Sequence, residues 1–395
     1  MNLHRLLLAA FGALLLAFGV LTGCGGGVGT GGTGDGNAFV SGSVTGFGSV
    51  IVNDIRFDDS AAIVEDGDDA RRVSADLRLG MTVEVDSGPI QAGASGPVAA
   101  ASRIRFDSAL LGPVQSVDVA GGAFTVLGQR VSVDETTVFD DGLAGRLLAL
   151  RPGQVVEVYA APDAALTRYR ATRVELRATL PPVFRVRGLV TQVDAAAQLV
   201  RIGGEVYSYA GALNVPAVLA PGRFVRLALF TTPDLQGRWV VRSFGNLLRA
   251  IGELDDVRLK GLITAFAPGN PVFEVEGRPV DASAARLVDG SPGLGVRVEV
   301  EGAVRGGVLR ARTVTIRSDE YERDRGFELR GPIESVNAGA RTFVLRGLTI
   351  GTTRPDLRLE DGTLADLVPG RRVEVRARVD IGGGTLLQAT RIKFE

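Results

Sequence analysis

Carboxylates are the most clustered side chains in this chain that could do chemistry. Asp58 and Asp59 precede a second acidic group that runs from Glu65 to Asp69 and includes Asp66 and Asp68. Calcium takes about six to eight oxygen ligands, so Asp58, Asp66 and Asp68 form a candidate calcium site, although their spacing does not match an EF-hand loop. Asp-Gly pairs are also common in solvated tight turns. We favour the turn and expect no metal and no cofactor.

A second set of carboxylates recurs along the chain at one position between apolar residues. Paired carboxylates are the catalytic groups of most glycosidases. Strict alternation with valine is equally typical of outward-facing residues on a half-buried strand, which we favour. We therefore expect no enzyme, and catalysis ranks last among the functions considered. The recurring residues are Glu84, Glu157, Glu299 and Glu374.

Aromatic residues that could stack on a sugar are scarce. The chain has one tryptophan, five tyrosines and 17 phenylalanines. Trp239, Tyr207 and Tyr209 lie in one repeat, and the two tyrosines alternate so that they share a strand face. They are the candidate ligand-binding residues for a carbohydrate, with burial in the core as the alternative.

The only histidine and the only cysteine, His4 and Cys24, both lie at the amino-terminal end. Arg5 and the apolar stretch that follows have the charge and length of a signal peptide spanning residues 1–23. The segment Leu21-Thr22-Gly23-Cys24 resembles the lipobox of bacterial lipoproteins. Cleavage before Cys24 would leave a lipid anchor there and a mature chain without histidine, which excludes histidine catalysis and His/Cys zinc sites.

A glycine-rich run follows the cysteine and occupies most of residues 24–37. Such a run cannot bury a core, so we expect a tether between the membrane and the folded part. The residue after Cys24 is not aspartate, and by resemblance to lipoprotein sorting rules this favours the outer membrane.

Charge is nearly balanced, with 44 basic and 45 acidic side chains. No basic block marks a nucleic-acid surface, so nucleic acid is not an expected partner. All basic residues except Lys260 and Lys393 are arginine, which we interpret as codon bias.

One short pattern recurs five times, about every 70 residues. It consists of a glycine, two residues and an alternating apolar and charged strand. A second pattern, glycine followed closely by Val or Ile, opens each unit and is followed by a hairpin of short apolar runs around Gly or Asn-Asp. The glycines of the first pattern are Gly80, Gly153, Gly222, Gly295 and Gly370, and those of the second are Gly42, Gly112, Gly188, Gly261 and Gly331.

The repeats predict an all-β chain of about five small, five-stranded, barrel-like modules of the OB type, arranged like beads on a string. Closure into barrels would remove exposed sheet edges. The expected modules are module 1 (38–108), module 2 (109–181), module 3 (182–250), module 4 (251–318) and module 5 (319–395).

Three segments of module 1 form a recognisable set: Gly42 to Asn53, Leu77 to Val85 and Arg103 to Phe106. They resemble domain-of-unknown-function family 5666, which occurs as tandem modules in bacterial secreted proteins and lipoproteins. The other modules keep the glycine-anchored strands. The resemblance implies tandem modules in a secreted protein or lipoprotein. It supplies no expectation about activity.

Together these patterns predict a non-catalytic lipoprotein of the cell envelope that acts as a structural or interaction scaffold. Its expected partners are a membrane, through Cys24, and an envelope protein or polysaccharide. Repeated modules without a unique polar cluster favour this function, because avidity requires only several linked copies of a binding module. The alternative is an array of modules that bind carbohydrate or another surface polymer.

Overall fold

Alternating apolar and polar residues form strands through more than half of the described chain. The computed structural model describes residues 37–94, 96–163, 168–245, 251–318, 326–379 and 387–395. The predicted signal peptide, Cys24 and almost all of the predicted tether lie outside these residues. Within the described residues helical structure is limited to short 3₁₀ turns, and no helix has the length and apolar character that a membrane span requires.

Module 1 is a closed barrel. Its strands are β1 (Ala38–Phe47), β2 (Val50–Val52), β3 (Ile55–Asp58), β4 (Ile63–Asp66), β5 (Arg71–Arg72), β6 (Thr82–Ser87), β7 (Gln91–Gly93) and β8 (Gly96–Phe106). Strand β1 pairs antiparallel with β2 and β6, β2 with β3, and β6 with β8. Strand β3 runs parallel to β8, and this last pairing closes the barrel.

Modules 2 and 3 have the same strand order. The strands of module 2 are β9 (Leu110–Asp118), β10 (Ala123–Val126), β11 (Gln129–Ser132), β12 (Val138–Phe139), β13 (Val155–Pro162) and β14 (Tyr169–Leu176). Those of module 3 are β15 (Phe184–Asp194), β16 (Leu199–Ile202), β17 (Glu205–Ser208), β18 (Phe224–Leu229) and β19 (Trp239–Gly245). The closing parallel pairs are β11 with β14 and β17 with β19.

Modules 4 and 5 repeat the arrangement. The strands of module 4 are β20 (Leu254–Ala265), β21 (Val272–Val275), β22 (Arg278–Asp281), β23 (Arg286–Val288), β24 (Arg297–Arg305) and β25 (Val308–Ile316). Those of module 5 are β26 (Phe327–Pro332), β27 (Ser335–Asn337), β28 (Thr342–Leu345), β29 (Leu348–Gly351), β30 (Arg358–Glu360), β31 (Arg372–Val379) and β32 (Leu387–Phe394). The parallel pairs β22 with β25 and β29 with β32 close them. The predicted five-stranded barrels are thus confirmed.

The recurring glycine lies just before the strand that pairs with the first strand of each module, namely β6, β13, β18, β24 and β31, and it has a conformational cause. All five of these glycines have positive φ, between 73° and 88°. An L side chain is strained in that region, so glycine is the residue that makes this turn without cost. The five glycines are Gly80, Gly153, Gly222, Gly295 and Gly370.

The modules do not follow one another like beads on a string, and this part of the sequence prediction is wrong. Residues Asp35–Glu395 form one compact unit. Strand β1 of module 1 pairs in parallel with β20 of module 4 and with β26 of module 5, and β9 of module 2 pairs with β15 of module 3. Apolar side chains of modules 1 and 5 form one continuous cluster, and those of modules 2 and 3 form another.

Candidate functional site at the module junctions

The three aromatic residues predicted to bind a sugar do not form an exposed platform. Tyr207 has no exposed surface, and Tyr209 is buried with its ring edge-on to Phe244, 6.3 Å between centroids. Trp239 is half-buried and packs edge-on against Phe184 at 5.5 Å. The prediction that Tyr207 and Tyr209 bind a ligand is therefore wrong, because a ring buried in the core cannot stack on a sugar.

The three candidate calcium ligands are each engaged by other groups. Asp58 accepts a hydrogen bond from the backbone N–H of Ser60 at 3.1 Å. Asp66 is buried, accepts two backbone N–H groups of its own turn at 3.0 Å, and contacts Arg72 at 2.6 Å. Among the described residues no group of three or more His, Cys, Asp or Glu side chains is placed to hold a metal ion. Asp68, the third candidate, faces module 3.

The recurring glutamates point outward from their barrels, as predicted, but they are not simply solvated. Glu157 and Glu374 are buried, and every one of the four contacts an arginine. The outward face of the strand that follows the recurring glycine is therefore an ion-pair position. The pairs are Glu84 with Arg278, Glu157 with Arg177, Glu299 with Arg317, and Glu374 with Arg391.

Module 3 carries arginine at this position and uses it to contact module 1. Arg226 is buried, and its guanidinium lies 3.2 Å from Asp68 Oδ1 and 3.1 Å from Asp107 Oδ2. Burial alone would lower the pKa of Arg226, but the carboxylates of Asp107 and Asp68 outweigh it and raise the pKa. Arg185 of module 3 also contacts Asp68. Two arginines of one module thus share a carboxylate of another.

Module 2 contacts module 1 through backbone groups. The Thr172 hydroxyl donates to the carbonyl oxygen of Gly80 at 2.6 Å, and Arg173 donates to that of Leu79 at 3.2 Å. The ring of Tyr159 from module 2 belongs to the apolar cluster of module 1. Burial raises the pKa of Tyr159 well above its ordinary value. Modules 1 and 2 are therefore joined both by hydrogen bonds to backbone carbonyls and by a buried aromatic ring.

Modules 2 and 3 are joined by buried polar side chains. The Tyr207 hydroxyl donates to the carbonyl oxygen of Leu127, and Gln129 Nε2 donates to that of Ile202 at 2.7 Å. The Tyr169 hydroxyl donates to the carbonyl oxygen of Arg187. Buried polar groups with partners fix one docking arrangement, because any other would leave them unsatisfied.

Modules 4 and 5 each contact module 1 through one buried or half-buried arginine–glutamate pair. Arg278 of module 4 lies 2.5 Å from Glu84 and 5.0 Å above the centre of the Phe39 ring. Arg56 of module 1 lies 2.5 Å from Glu328 of module 5. Module 1 therefore contacts all four other modules.

Sequence reasoning missed the role of the arginines, although their number was visible. A planar guanidinium can pair with a carboxylate, donate to a carbonyl and stack on an aromatic ring. All three contacts occur at the junctions, in Arg226, Arg173 and Arg278. The interpretation of the arginine excess as codon bias overlooked these contacts, because composition does not show which arginines lie at a junction.

A cavity of about 650 Å³ lies between modules 1, 2 and 3. Basic and acidic residues both line it, among them Arg173 and Glu175, which pair at 2.5 Å. Asp140 also lines it, and burial raises the pKa of this carboxyl. A buried carboxyl with a raised pKa can serve as a general acid, but most of the surrounding charges are tied into ion pairs.

Two stretches of the chain, residues 112–175 and 330–393, match the family model described as a domain of unknown function, DUF5666. They lie in modules 2 and 5, whereas the resemblance seen in the sequence was strongest in module 1. The predicted relationship and the tandem occurrence of the modules are confirmed.

Solved structures similar to the chain include Drosophila Unr CSD456, which is 14% identical, with 54% of this chain and 98% of that chain covered and a TM-score of 0.13. A multidomain protein with nucleic acid binding domains from Streptococcus pneumoniae TIGR4 is also 14% identical, covering 58% of this chain and 76% of that chain with a TM-score of 0.16. These scores are too low to indicate a shared overall arrangement. No curated protein matches the chain.

Proposed function

We propose that this chain, two stretches of which match the DUF5666 model, is a non-catalytic scaffold of the bacterial cell envelope, tethered to a membrane by lipid on Cys24. The observation that carries this proposal is the set of junctions around module 1. They combine the barrels into one body with several separate outward surfaces, which is what a scaffold needs. The family description assigns no function to these modules.

The proposed lipid anchor is supported by the segment Leu21 to Cys24 and by the glycine-rich run that follows it. Two or three acyl chains, at about 0.8 kcal/mol per buried CH₂, hold a protein stably on a bilayer. We expect the chain to incorporate a clickable palmitate analogue in a bacterial host and to sediment with outer membranes. Cys24→Ala should abolish both. Incorporation that persists in Cys24→Ala would contradict the anchor.

The interaction part of the proposal is supported by module 3, which exposes several large apolar side chains. Leu235 is 102% exposed, so it contributes nothing to its own barrel. Phe230 is about half exposed in the same hairpin. Single exposed apolar residues are ordinary, whereas a contiguous group of them is typical of a surface that binds another protein, and Phe230 and Leu235 share one hairpin. Three further exposed residues of module 3 are Leu213, Val215 and Val218.

The test is affinity capture of envelope proteins by the intact protein, with a polysaccharide panel in parallel. A captured protein should rebind saturably when purified, and Leu235→Ser with Phe230→Ser should abolish this binding. The matched control is Val272→Ser, which removes an exposed apolar residue from module 4. Saturable retention on a polysaccharide with no protein partner would replace this proposal by the polymer-binding alternative. Hydrolysis of a captured polymer would contradict the non-catalytic assignment.

A further inference from the structure

One loop of module 3 differs in composition from its counterparts in the other modules. It connects β17 to β18, and none of its residues from Ala210 to Gly222 is charged. The corresponding loops of the other modules, which lead to β6, β13, β24 and β31, all contain both acidic and basic residues. We refer to residues 210–222 as the apolar loop. Its composition is specific to module 3 and is not required by the repeated barrel.

The apolar loop exposes its aliphatic side chains although its backbone is held in place. Leu213 is 63% exposed, Val215 41% and Val218 65%. The N–H of Leu213 donates to the carbonyl oxygen of Arg242 at 3.0 Å, and the carbonyl oxygen of Leu213 accepts from the N–H of Phe244 at 2.9 Å. A contiguous group of exposed apolar side chains marks a site that contacts another protein or a membrane.

Two exposed arginines lie beside the apolar loop. Arg223 directly follows it in the chain, and the backbone of Arg242 is hydrogen-bonded to Leu213. Within the part of the chain that the structure describes, neither guanidinium contacts a carboxylate, whereas Arg226 and Arg238 of the same module are ion-paired. An exposed apolar surface beside unpaired cations is typical of a protein segment that lies at the surface of an anionic bilayer.

We propose that the apolar loop inserts into the surface of the membrane that carries the lipid anchor, while the two arginines contact anionic headgroups. This inference rests on the anchor proposed for Cys24. The chain between Cys24 and Asn37 spans at most about 45 Å even when fully extended, so the folded part stays close to that membrane. Burial of apolar side chains and attraction of cations to anionic lipid both favour the contact. The hairpin of Phe230 and Leu235, which joins β18 to β19, is a separate connection and is left for a protein partner.

The test places a fluorescent label on the apolar loop of the lipidated protein in vesicles of phosphatidylethanolamine and phosphatidylglycerol. Because Cys24 is the only cysteine and its sulfur would carry the lipid, Val218→Cys supplies the one free thiol for the label. We expect blue-shifted emission that brominated lipids quench, and Leu213→Ser with Val215→Ser should abolish both effects. The matched control is Leu294→Cys, because Leu294 is 56% exposed in the corresponding loop of module 4 and its label should report water.

Arg223→Gln with Arg242→Gln tests the electrostatic part of the contact. On the anionic vesicles this variant should reduce the quenched fraction several-fold, and on phosphatidylcholine vesicles it should match wild type.

Flotation of the compact unit Asp35–Glu395 with the same vesicles decides the proposal if Cys24 carries no lipid, so failure of the anchor and failure of the loop contact are distinguishable. Flotation that is lost in Leu213→Ser with Val215→Ser supports the contact. Equal emission from labels at positions 218 and 294, or the absence of flotation, overturns it. Capture of a protein through the apolar loop while the label at position 218 reports water also overturns it.

Discussion

Arg226 of module 3 and Asp68 of module 1 form an ion pair across 158 residues of sequence, with 3.2 Å between Nη2 and Oδ1. The same strand position carries glutamate in the other four modules, and in module 1 that residue, Glu84, pairs with Arg278 of module 4. In modules 1 and 3 the same outward strand position thus contributes to two different junctions, with a carboxylate in one and a guanidinium in the other.

Reversing this charge should open the junction between modules 1 and 3. We expect Arg226→Glu to lower the free energy of unfolding by at least about 3 kcal/mol, because it removes a buried pair and sets a glutamate against Asp68 and Asp107. Trp239 is the only tryptophan and lies in module 3, so its fluorescence reports the urea midpoint there. The control is Arg223→Glu, on the exposed turn before the same strand. Equal midpoints for the two variants would contradict the role of the pair.

Gly80 offers a separate test of the junction between modules 1 and 2. A Cβ at Gly80 would lie 2.4 Å from the carbonyl oxygen of Thr172, whereas one at Gly370 would meet nothing within 4 Å. The two glycines have φ of 82° and 87°, so alanine is similarly strained at both. Gly80→Ala should therefore cost about 1–3 kcal/mol more than Gly370→Ala in calorimetric unfolding. A difference near zero would mean that modules 1 and 2 are not docked in this way.

Tyr207 should be a structural residue and not a ligand-binding one. Tyr207→Phe removes the hydroxyl that donates to the carbonyl oxygen of Leu127, which keeps a hydrogen bond from Gln129 Nε2 at 3.1 Å, and it should cost about 0.5–1.5 kcal/mol in urea unfolding. Tyr209→Phe is the control two residues away. Its hydroxyl forms no hydrogen bond within the part of the chain that is described, so we expect little change. The prediction fails if both substitutions have the same small effect.

Asp66 should make the free energy of unfolding depend on pH in the acidic range. Burial alone would raise the pKa of Asp66, but hydrogen bonds from Arg72 and the backbone outweigh it and lower the pKa below its ordinary value of 3.8. A carboxyl with a lowered folded pKa stabilises the protein above its unfolded pKa, and this contribution is lost as the pH falls through the folded pKa.

We therefore expect Asp66→Asn to be about 1 kcal/mol less stable than wild type at pH 7, and the difference to shrink below pH 4. Urea unfolding at pH 7 and pH 3 measures it, with Asp59→Asn as the control in the neighbouring turn. A difference that is the same at both pH values would show that the charge of Asp66 contributes nothing.

The sequence by itself determined the strands, the glycines and the number of barrels. These features are local: a two-residue period shows which side chains share a strand face, and positive φ requires glycine at Gly80 and its four counterparts. It also located Tyr207 and Tyr209 on one face. Periodicity alone could not show whether that face was the inside of the barrel, and the structure places both rings in the core.

Only the tertiary structure decided which barrels are neighbours. Strand β1 pairs with β20 and β26, from modules far along the chain, and nothing in the local pattern of β1 specifies those partners. The sequence pattern of an outward-facing strand is the same whether water or another module covers that face. For this reason the sequence around Asp68 predicted a solvated turn residue or a calcium ligand. In the folded chain Asp68 instead forms an ion pair with Arg226. Long-range contacts of this kind depend on the joint shape and charge of two finished surfaces, which no single segment contains.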